Sequence, residues 1–349
     1  MKILVGRIVK HLKNNYKIII GIIIGVVISG CGVYAATVIA ASNVGYSDNA
    51  SLGADNVQDA IDKLNTKATT KIKEAEAKCP DGYKCIKPLC KRATTLHTET
   101  CSQTSTSSYC SGDGYTASGS MKTTTITYGN LGTKGVLTSG DAFDCDVNGD
   151  GVYDSTTERF YYVSDMTNGV TQDSNTAVLI YYNNVSGGLP SNSTTYVYDK
   201  NRNAYTNGPI TAKGQLPTTS QWKNVSLINT TRNITDEKNT VRKSAFSYEG
   251  YAARLLTYQE VYNGCYDGTT SITSKKGLSS KCKYLMENTK YSSSSLKTYG
   301  GLLESPSASF SFFVWLVDAY SLSVDDLDVG NERTGVRPVI EVLKSNISY

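Results

Sequence analysis

The sequence is short of histidine, with two His among 349 residues. That argues against a His-based metal enzyme and against a Ser-His-Asp triad. Charge is also scarce, at 19% Asp, Glu, Lys and Arg against the roughly 25% usual for soluble domains. The formal charge of +4 hides a second absence. Lys2, Arg7, Lys10, Lys13 and Lys17 crowd the first 17 residues with no acid among them, and without these five the remainder falls to −1. No basic surface is left to neutralise phosphates, so nucleic acid is not an expected partner. Tyr outnumbers Phe 25 to 6, and Gly stands at 30. This is the profile of a β-rich, loop-rich surface protein, not of a helical bundle.

The N-terminus decides the expected compartment. Residues 18–41 contain no charged side chain, and a run of that length can span the roughly 30 Å hydrocarbon core of a bilayer. The basic flank precedes it, which predicts a cytoplasmic N-terminus and an exported remainder. The segment could remain as an anchor, be cut as a signal peptide after Val33-Tyr34-Ala35, or be lipidated at Cys31. The apolar run continues past Cys31, which favours anchor or signal.

Export suits the cysteines. Apart from Cys31 there are eight: Cys79, Cys85, Cys90, Cys101, Cys110, Cys145, Cys265 and Cys282. An even number in an exported chain predicts disulfides. Cys265 and Cys282 stand alone in the C-terminal half and are expected to pair with each other. Cys101–Cys110 is the next most local candidate, and the remaining four stay unassigned.

Residues 42–52 are a polar linker. In 53–78, Val57, Ile61, Leu64 and Ala68 are spaced +4, +3, +4, and Ile72 and Ala75 continue the stripe. A seam that narrow predicts a coiled-coil-like stalk, either solvated or an oligomerisation helix. The stretch Asp55-Asn56-Val57-Gln58-Asp59-Ala60-Ile61-Asp62-Lys63-Leu64 resembles a segment that leads into trimeric stalks in phage tail fibres and that recurs in secreted proteins of gut bacteria. That resemblance implies a homo-trimer through 53–78. Residues 79–120 read as a Cys-, Ser- and Thr-rich connector. Beyond them 123–128, 159–163 and 176–182 are β-branched or aromatic runs bounded by turn residues, and they predict strands.

An acidic loop follows an alternating pattern. With Asp146 as position 1, Asn148 and Asp150 fall at 3 and 5, Gly151 at 6, the Val152 carbonyl at 7 and Asp154 at 9. That spacing predicts a structural Ca2+ held by Asp146, Asn148, Asp150, Val152 and Asp154. Position 12 is Thr157, with Glu158 beside it. A Gly/Asp/Asn turn without an ion would favour the same residues.

Two C-terminal segments belong together. Tyr251–Val261 contains Thr257 and Glu260 at capping-box spacing, and Gly335–Val342 reads as a terminal strand. The pair resembles the signatures of the formylglycine-generating-enzyme-like branch of the C-type-lectin fold. The resemblance implies paired terminal strands and a long irregular loop region on one face. The enzyme of that branch uses C-terminal cysteines, and this chain has none after Cys282, so no enzymatic activity is expected. Between the two signatures, residues 309–331 hold no Lys, Glu, Gln or Met, and Trp315 is their only Trp. Adenine-randomised AAY codons yield every residue type except those five, and a Trp codon without adenine stays fixed. The chain is therefore similar to the variable proteins of diversity-generating retroelements from gut bacteria and their phages.

The expected fold class is α+β. It comprises a transmembrane or signal helix (1–41), a linker and helical stalk (42–78), a connector (79–120) and a C-type-lectin-like mixed domain (121–349) with variable region 309–331. The expected function is cell-surface ligand binding, with an extracellular protein or glycan as partner and the membrane engaged by the N-terminal segment. Phe310, Phe312, Phe313, Leu316, Tyr320, Leu322 and Leu327 are the apolar contact candidates. Asp318, Asp325, Asp326, Asp328 and Asn331 are the polar ones, because four Asp cannot sit unpaired in a dry core. A pilin-like structural subunit and an enzyme on the same fold are the alternatives.

Overall fold

A computed structural model describes residues 20–25, 35–40, 87–103, 122–169, 171–191, 194–266, 276–289, 300–318, 323–330, 332 and 334–349. Two compact units are present, Met1–Ile86 and Lys87–Tyr349.

In the first unit, Ile20–Gly25 and Ala35–Ala40 form an antiparallel pair, in register from Ile20 opposite Ala40 to Gly25 opposite Ala35. This corrects the expected spanning helix. Ile-rich, β-branched sequence loses side-chain freedom in a helix and fits an extended strand, while Gly21 and Gly25 weaken a helix further. No helix among the described residues is long and apolar enough to cross a membrane. The expected stalk helix at 53–78 lies outside the described residues.

The second unit, here called the head, carries strands β1 (Cys90–Arg92), β2 (His97–Gln103), β3 (Lys122–Tyr128), β4 (Ala142–Cys145), β5 (Arg159–Thr167) and β6 (Gln172–Tyr181). Short helices α1 (Ala204–Asn207) and α2 (Ile210–Lys213) follow, then β7 (Thr231–Thr235), β8 (Val241–Ser247) and helix α3 (Tyr258–Cys265). The chain closes with β9 (Gly301–Pro306), β10 (Phe313–Asp318), β11 (Ser323–Asp328), β12 (Val339–Leu343) and β13 (Ile347–Ser348). The described structure is thus mostly β, with helix confined to pieces of a turn or two. The expected α+β class is overturned. Ser, Thr, Tyr and Val fill this sequence, and they pack better on a pleated surface than on a helix.

The main sheet runs β12–β6–β5–β4–β1–β13. Its β5–β6 pair is covered on both faces. Phe160, Tyr162, Leu179 and Tyr181 enter one apolar cluster, and Tyr161, Val163, Val178 and Ile180 enter the other. Period-two alternation sends successive side chains to opposite faces, so a strand buried on both sides reads as the unbroken apolar runs seen in the sequence. The ends of the head meet: β13 pairs parallel to β1, with Ile347 opposite Cys90. Cys90 also faces Cys145 across the β1–β4 ladder, and the two form a disulfide. The expected Cys265–Cys282 disulfide is present. Cys79, Cys85 and Cys110 lie outside the described residues.

A second sheet places Lys276–Gly277, β11, β10 and β9 side by side. Its attachment is ionic as well as apolar. Buried Arg254 binds Glu260 of α3 and Glu341 of β12 at 2.6 Å each, and Arg232 of β7 meets Glu341 and Glu304 of β9 at 3.0 Å. Tyr248 donates to the Glu304 carboxylate at 3.0 Å. Burial pushes the Glu304 carboxyl up, against the pull of Arg232 and Arg254. The network ties four elements at the base of the β9–β10 hairpin.

Candidate functional site

The residues between β9 and β10 form a hairpin tip, Ser307-Ala308-Ser309-Phe310-Ser311-Phe312. The tip closes on itself: the Ser307 N–H donates to the Phe313 carbonyl at 2.9 Å, and the Phe313 N–H to the Phe310 carbonyl at 3.2 Å. Five further bonds grip its main chain from outside. The Ala204 N–H of α1 donates to the Ser311 carbonyl at 2.8 Å, and the Val329 N–H to the Phe312 carbonyl at 2.9 Å. Tyr205 donates its hydroxyl hydrogen to the Ser307 carbonyl at 2.7 Å. Arg242 Nη2 donates to the Ala308 carbonyl at 3.1 Å, while the Ala308 N–H donates to Glu237 Oε2 at 2.8 Å. Glu237 also accepts from the Trp315 indole N–H at 2.8 Å, and the indole packs on Tyr258 at 5.0 Å between ring centroids.

The grip uses no side chain of Phe310 or Phe312. Phe310 is 53% and Phe312 41% exposed, with Phe313 half-buried beside them. The three rings touch, at centroid separations of 5.3, 5.8 and 4.9 Å. Aromatic rings clustered at the surface on a framework that binds only main chain make this tip the head's candidate interaction site.

The other expected contact residues divide. Leu316 is 5% exposed and belongs to the interior of its sheet, so it offers nothing to a ligand in this conformation. Alternation along β10 buries Val314 with it. Leu327 and Asp328 are half-buried, and Asp328 forms an ion pair with Arg202. The backbone register sets Asp318 opposite Ser323, Asp325 opposite Leu316 and Asp326 opposite Trp315. Tyr320, Leu322 and Asn331 lie outside the described residues.

The acidic loop takes an Asx-turn form. Asp146 accepts from the N–H groups of Gly149 and Gly151 at 3.0 and 3.1 Å, Asn148 from Asp150 at 2.8 Å, and Asp150 from Val152 at 2.8 Å. Gly149 and Gly151 sit at φ +79° and +82°, a region that side-chain-bearing residues rarely enter. Thr156 bonds pull the Asp154 carboxyl down to about 2. Glu158 folds under the loop, where it accepts from the Asn148 and Asp154 N–H groups at 3.3 Å each. Burial pushes it up to about 7, and the charges of Asp150 and Asp146 add to the shift. The loop's carboxylates are therefore satisfied by its own backbone. Among the described residues no group of three or more His, Cys, Asp or Glu is gathered to hold a metal ion.

A third cluster was not visible in the sequence. His97, at the start of β2, places Nδ1 at 2.6 Å from Glu287 Oε1 and Nε2 at 2.5 Å from the Ser155 carbonyl. Tyr161 donates to the other Glu287 oxygen at 2.5 Å. His97 thereby joins three separate segments of the head. No short-range pattern announces this, because its partners lie 190 and 58 residues away. The tip's cradle was missed for the same reason. Tyr205, Glu237 and Arg242 carry no motif, and only the folded chain brings them to Ser307 and Ala308.

Comparison with family models, with curated proteins and with solved structures gave no match. The site's own chemistry carries the functional reading.

Proposed function

We propose that the chain is an exported ligand-binding protein that displays an exchangeable contact surface at the β9–β10 tip, within residues 309–331. The observation that carries the reading is the main-chain grip on 307–313, which fixes the tip's path whatever side chains stand at 310 and 312. A rigid scaffold presenting variable side chains on a loop is the architecture of recognition surfaces generally. Trp315 supports the reading from the other side: its indole is committed to Glu237 and Tyr258, a framework task that suits a fixed position within a diversified segment. Two disulfides within the head fit an oxidising compartment outside the cytosol.

The test is a double replacement, Phe310→Ser with Phe312→Ser. The variant is expected to keep the wild-type near-UV circular dichroism and melting temperature, and to lose peptides selected on the wild-type head from a random displayed library. Unfolding of the variant would make the rings core residues and end the proposal. Selected peptides that bind wild type and variant alike would do the same.

A further inference from the structure

We infer that Glu304 holds a proton in the folded head, and that this proton is the condition for β9 to carry the hairpin tip in its gripped form. The inference goes beyond the display reading and does not depend on it.

Two guanidiniums, Arg232 and Arg254, meet three carboxyls, Glu260, Glu304 and Glu341, and all five side chains are buried. Their bonds are unequal. Glu260 accepts four N–H donors, two from Arg254 and one each from the Thr167 and Thr257 main chain. Glu341 also accepts four, from Arg232, Arg254 and the Ile228 and Asn229 main chain. Four donors saturate a carboxylate. Glu304 accepts one, the Tyr248 hydroxyl, on Oε2. Its Oε1 lies 3.0 Å from Arg232 Nε but accepts no hydrogen bond, and that Nε donates none.

Charge gives the same assignment. The two guanidiniums balance the two saturated carboxylates, so an ionised Glu304 would be a fifth charge with no cation left for it. A buried charge without a partner is expensive, and a carboxyl so placed takes up a proton instead. Oε1 accepts nothing and can carry that proton without losing a bond. Burial pushes the Glu304 carboxyl up; Arg232 and Arg254 pull it down without cancelling that, and the charge of Glu260 adds to the rise. Burial acts on Glu260 too, but Arg254 outweighs it and holds that carboxyl below the ordinary value. Tyr198 and Tyr248 also face Glu304, as neutral phenols, because burial raises both.

Glu304 stands in β9 three residues before the tip begins at Ser307. Loss of its proton places an uncompensated charge there, which water reaches only where β9 shifts. The base of the hairpin is thus a proton-dependent latch, closed at low pH and weakened as pH rises through the folded value of Glu304.

The experiment is a carbon NMR pH titration of the isotope-labelled full chain, with the Glu304 carboxyl assigned through its own backbone amide. Its midpoint is expected above the ordinary 4.5, and that of Glu260 below it. A Glu304 midpoint at or below 4.5 overturns the inference. Glu304→Gln imitates the protonated acid. Its melting temperature is expected to match wild type at pH 4.5 and to exceed it at pH 8, and a gap that does not change with pH also overturns the inference. Amide exchange at Ser307 and Ala308, corrected for intrinsic base catalysis, reads the latch. Wild-type protection is expected to fall with rising pH relative to Glu304→Gln, by about tenfold for each unit that the midpoint is raised. Equal protection profiles in the two proteins overturn the latch. These measurements leave Phe310 and Phe312 in place, so their failure leaves the display reading standing, and failure of the display reading leaves the proton on Glu304.

Discussion

His97 and Glu287 meet at 2.6 Å while the other imidazole nitrogen faces the Ser155 carbonyl at 2.5 Å. Both partners are acceptors, so the arrangement calls for a ring that carries two protons. Burial pulls the His97 pKa down, but the hydrogen bond and charge of Glu287 and the Ser155 carbonyl together raise it above 6.5, with Arg159 opposing. A histidine whose folded pKa exceeds its unfolded value contributes its full stability below about 6.5 and loses it as pH rises through the folded value. Unfolding free energies from urea denaturation are expected to fall from pH 6 upward, by about 1 kcal/mol for one charge-assisted bond. His97→Gln should remove that dependence, and a variant with an unchanged profile would show that the pair contributes nothing.

Glu158 gives a second pH signal with its own origin. Its folded pKa near 7 lies above the ordinary 4.5, so the folded state binds more protons than the unfolded between those values. Stability is expected to rise as pH falls through 7 toward 4.5. Glu158→Gln should therefore raise the melting temperature at pH 8 and change it little at pH 4.5. Because His97 and Glu158 act in the same direction, the two single variants and their double separate the contributions.

Calcium titration at pH 8 tests the donor set of the acidic loop. A melting-temperature gain that disappears in Asp146→Asn with Asp150→Asn identifies the loop as an ion site. No gain in the wild type retires the calcium expectation and leaves an Asx-turn loop satisfied by its own N–H groups.

Arg254→Met should be among the most damaging single substitutions in the head. It leaves Glu260 and Glu341 buried without the cation that joins them, and breaking a buried pair from one side costs about 3–5 kcal/mol. Urea denaturation reads the loss directly.

Glu237→Ala removes one acceptor shared by the Ala308 N–H and the Trp315 indole. The expected outcome is a loosened tip: faster amide exchange at Ala308, weaker binding of the peptides selected on the wild-type head with both Phe rings still in place, and a stability cost of about 1–3 kcal/mol. Unchanged exchange at Ala308 would remove Glu237 from the grip.

What the sequence determined by itself was written at short range. Thr257 and Glu260 form their capping box, and Cys265 pairs with Cys282, 17 residues on. Strands occupy the β-branched runs around 126, 161 and 179. Asp146 and Asn148 bind N–H groups within the next few residues. Each of these follows from bonds a chain segment makes with itself or with a near neighbour.

The tertiary structure decided the rest. Length and hydropathy in 18–41 suggested a helix, but its described residues are extended and paired, because β-branched side chains prefer a strand once a second strand satisfies the backbone. Cys90 found Cys145 only because β1 and β4 lie side by side. Leu316 was drawn inward by the packing of its strand, while Phe312 was left outside because it stands in the hairpin tip, one residue before β10 begins at Phe313. The cradle of the display tip comes from residues about 65 to 105 positions away, contacts that no local pattern encodes and that exist only once distant strands have closed on one another.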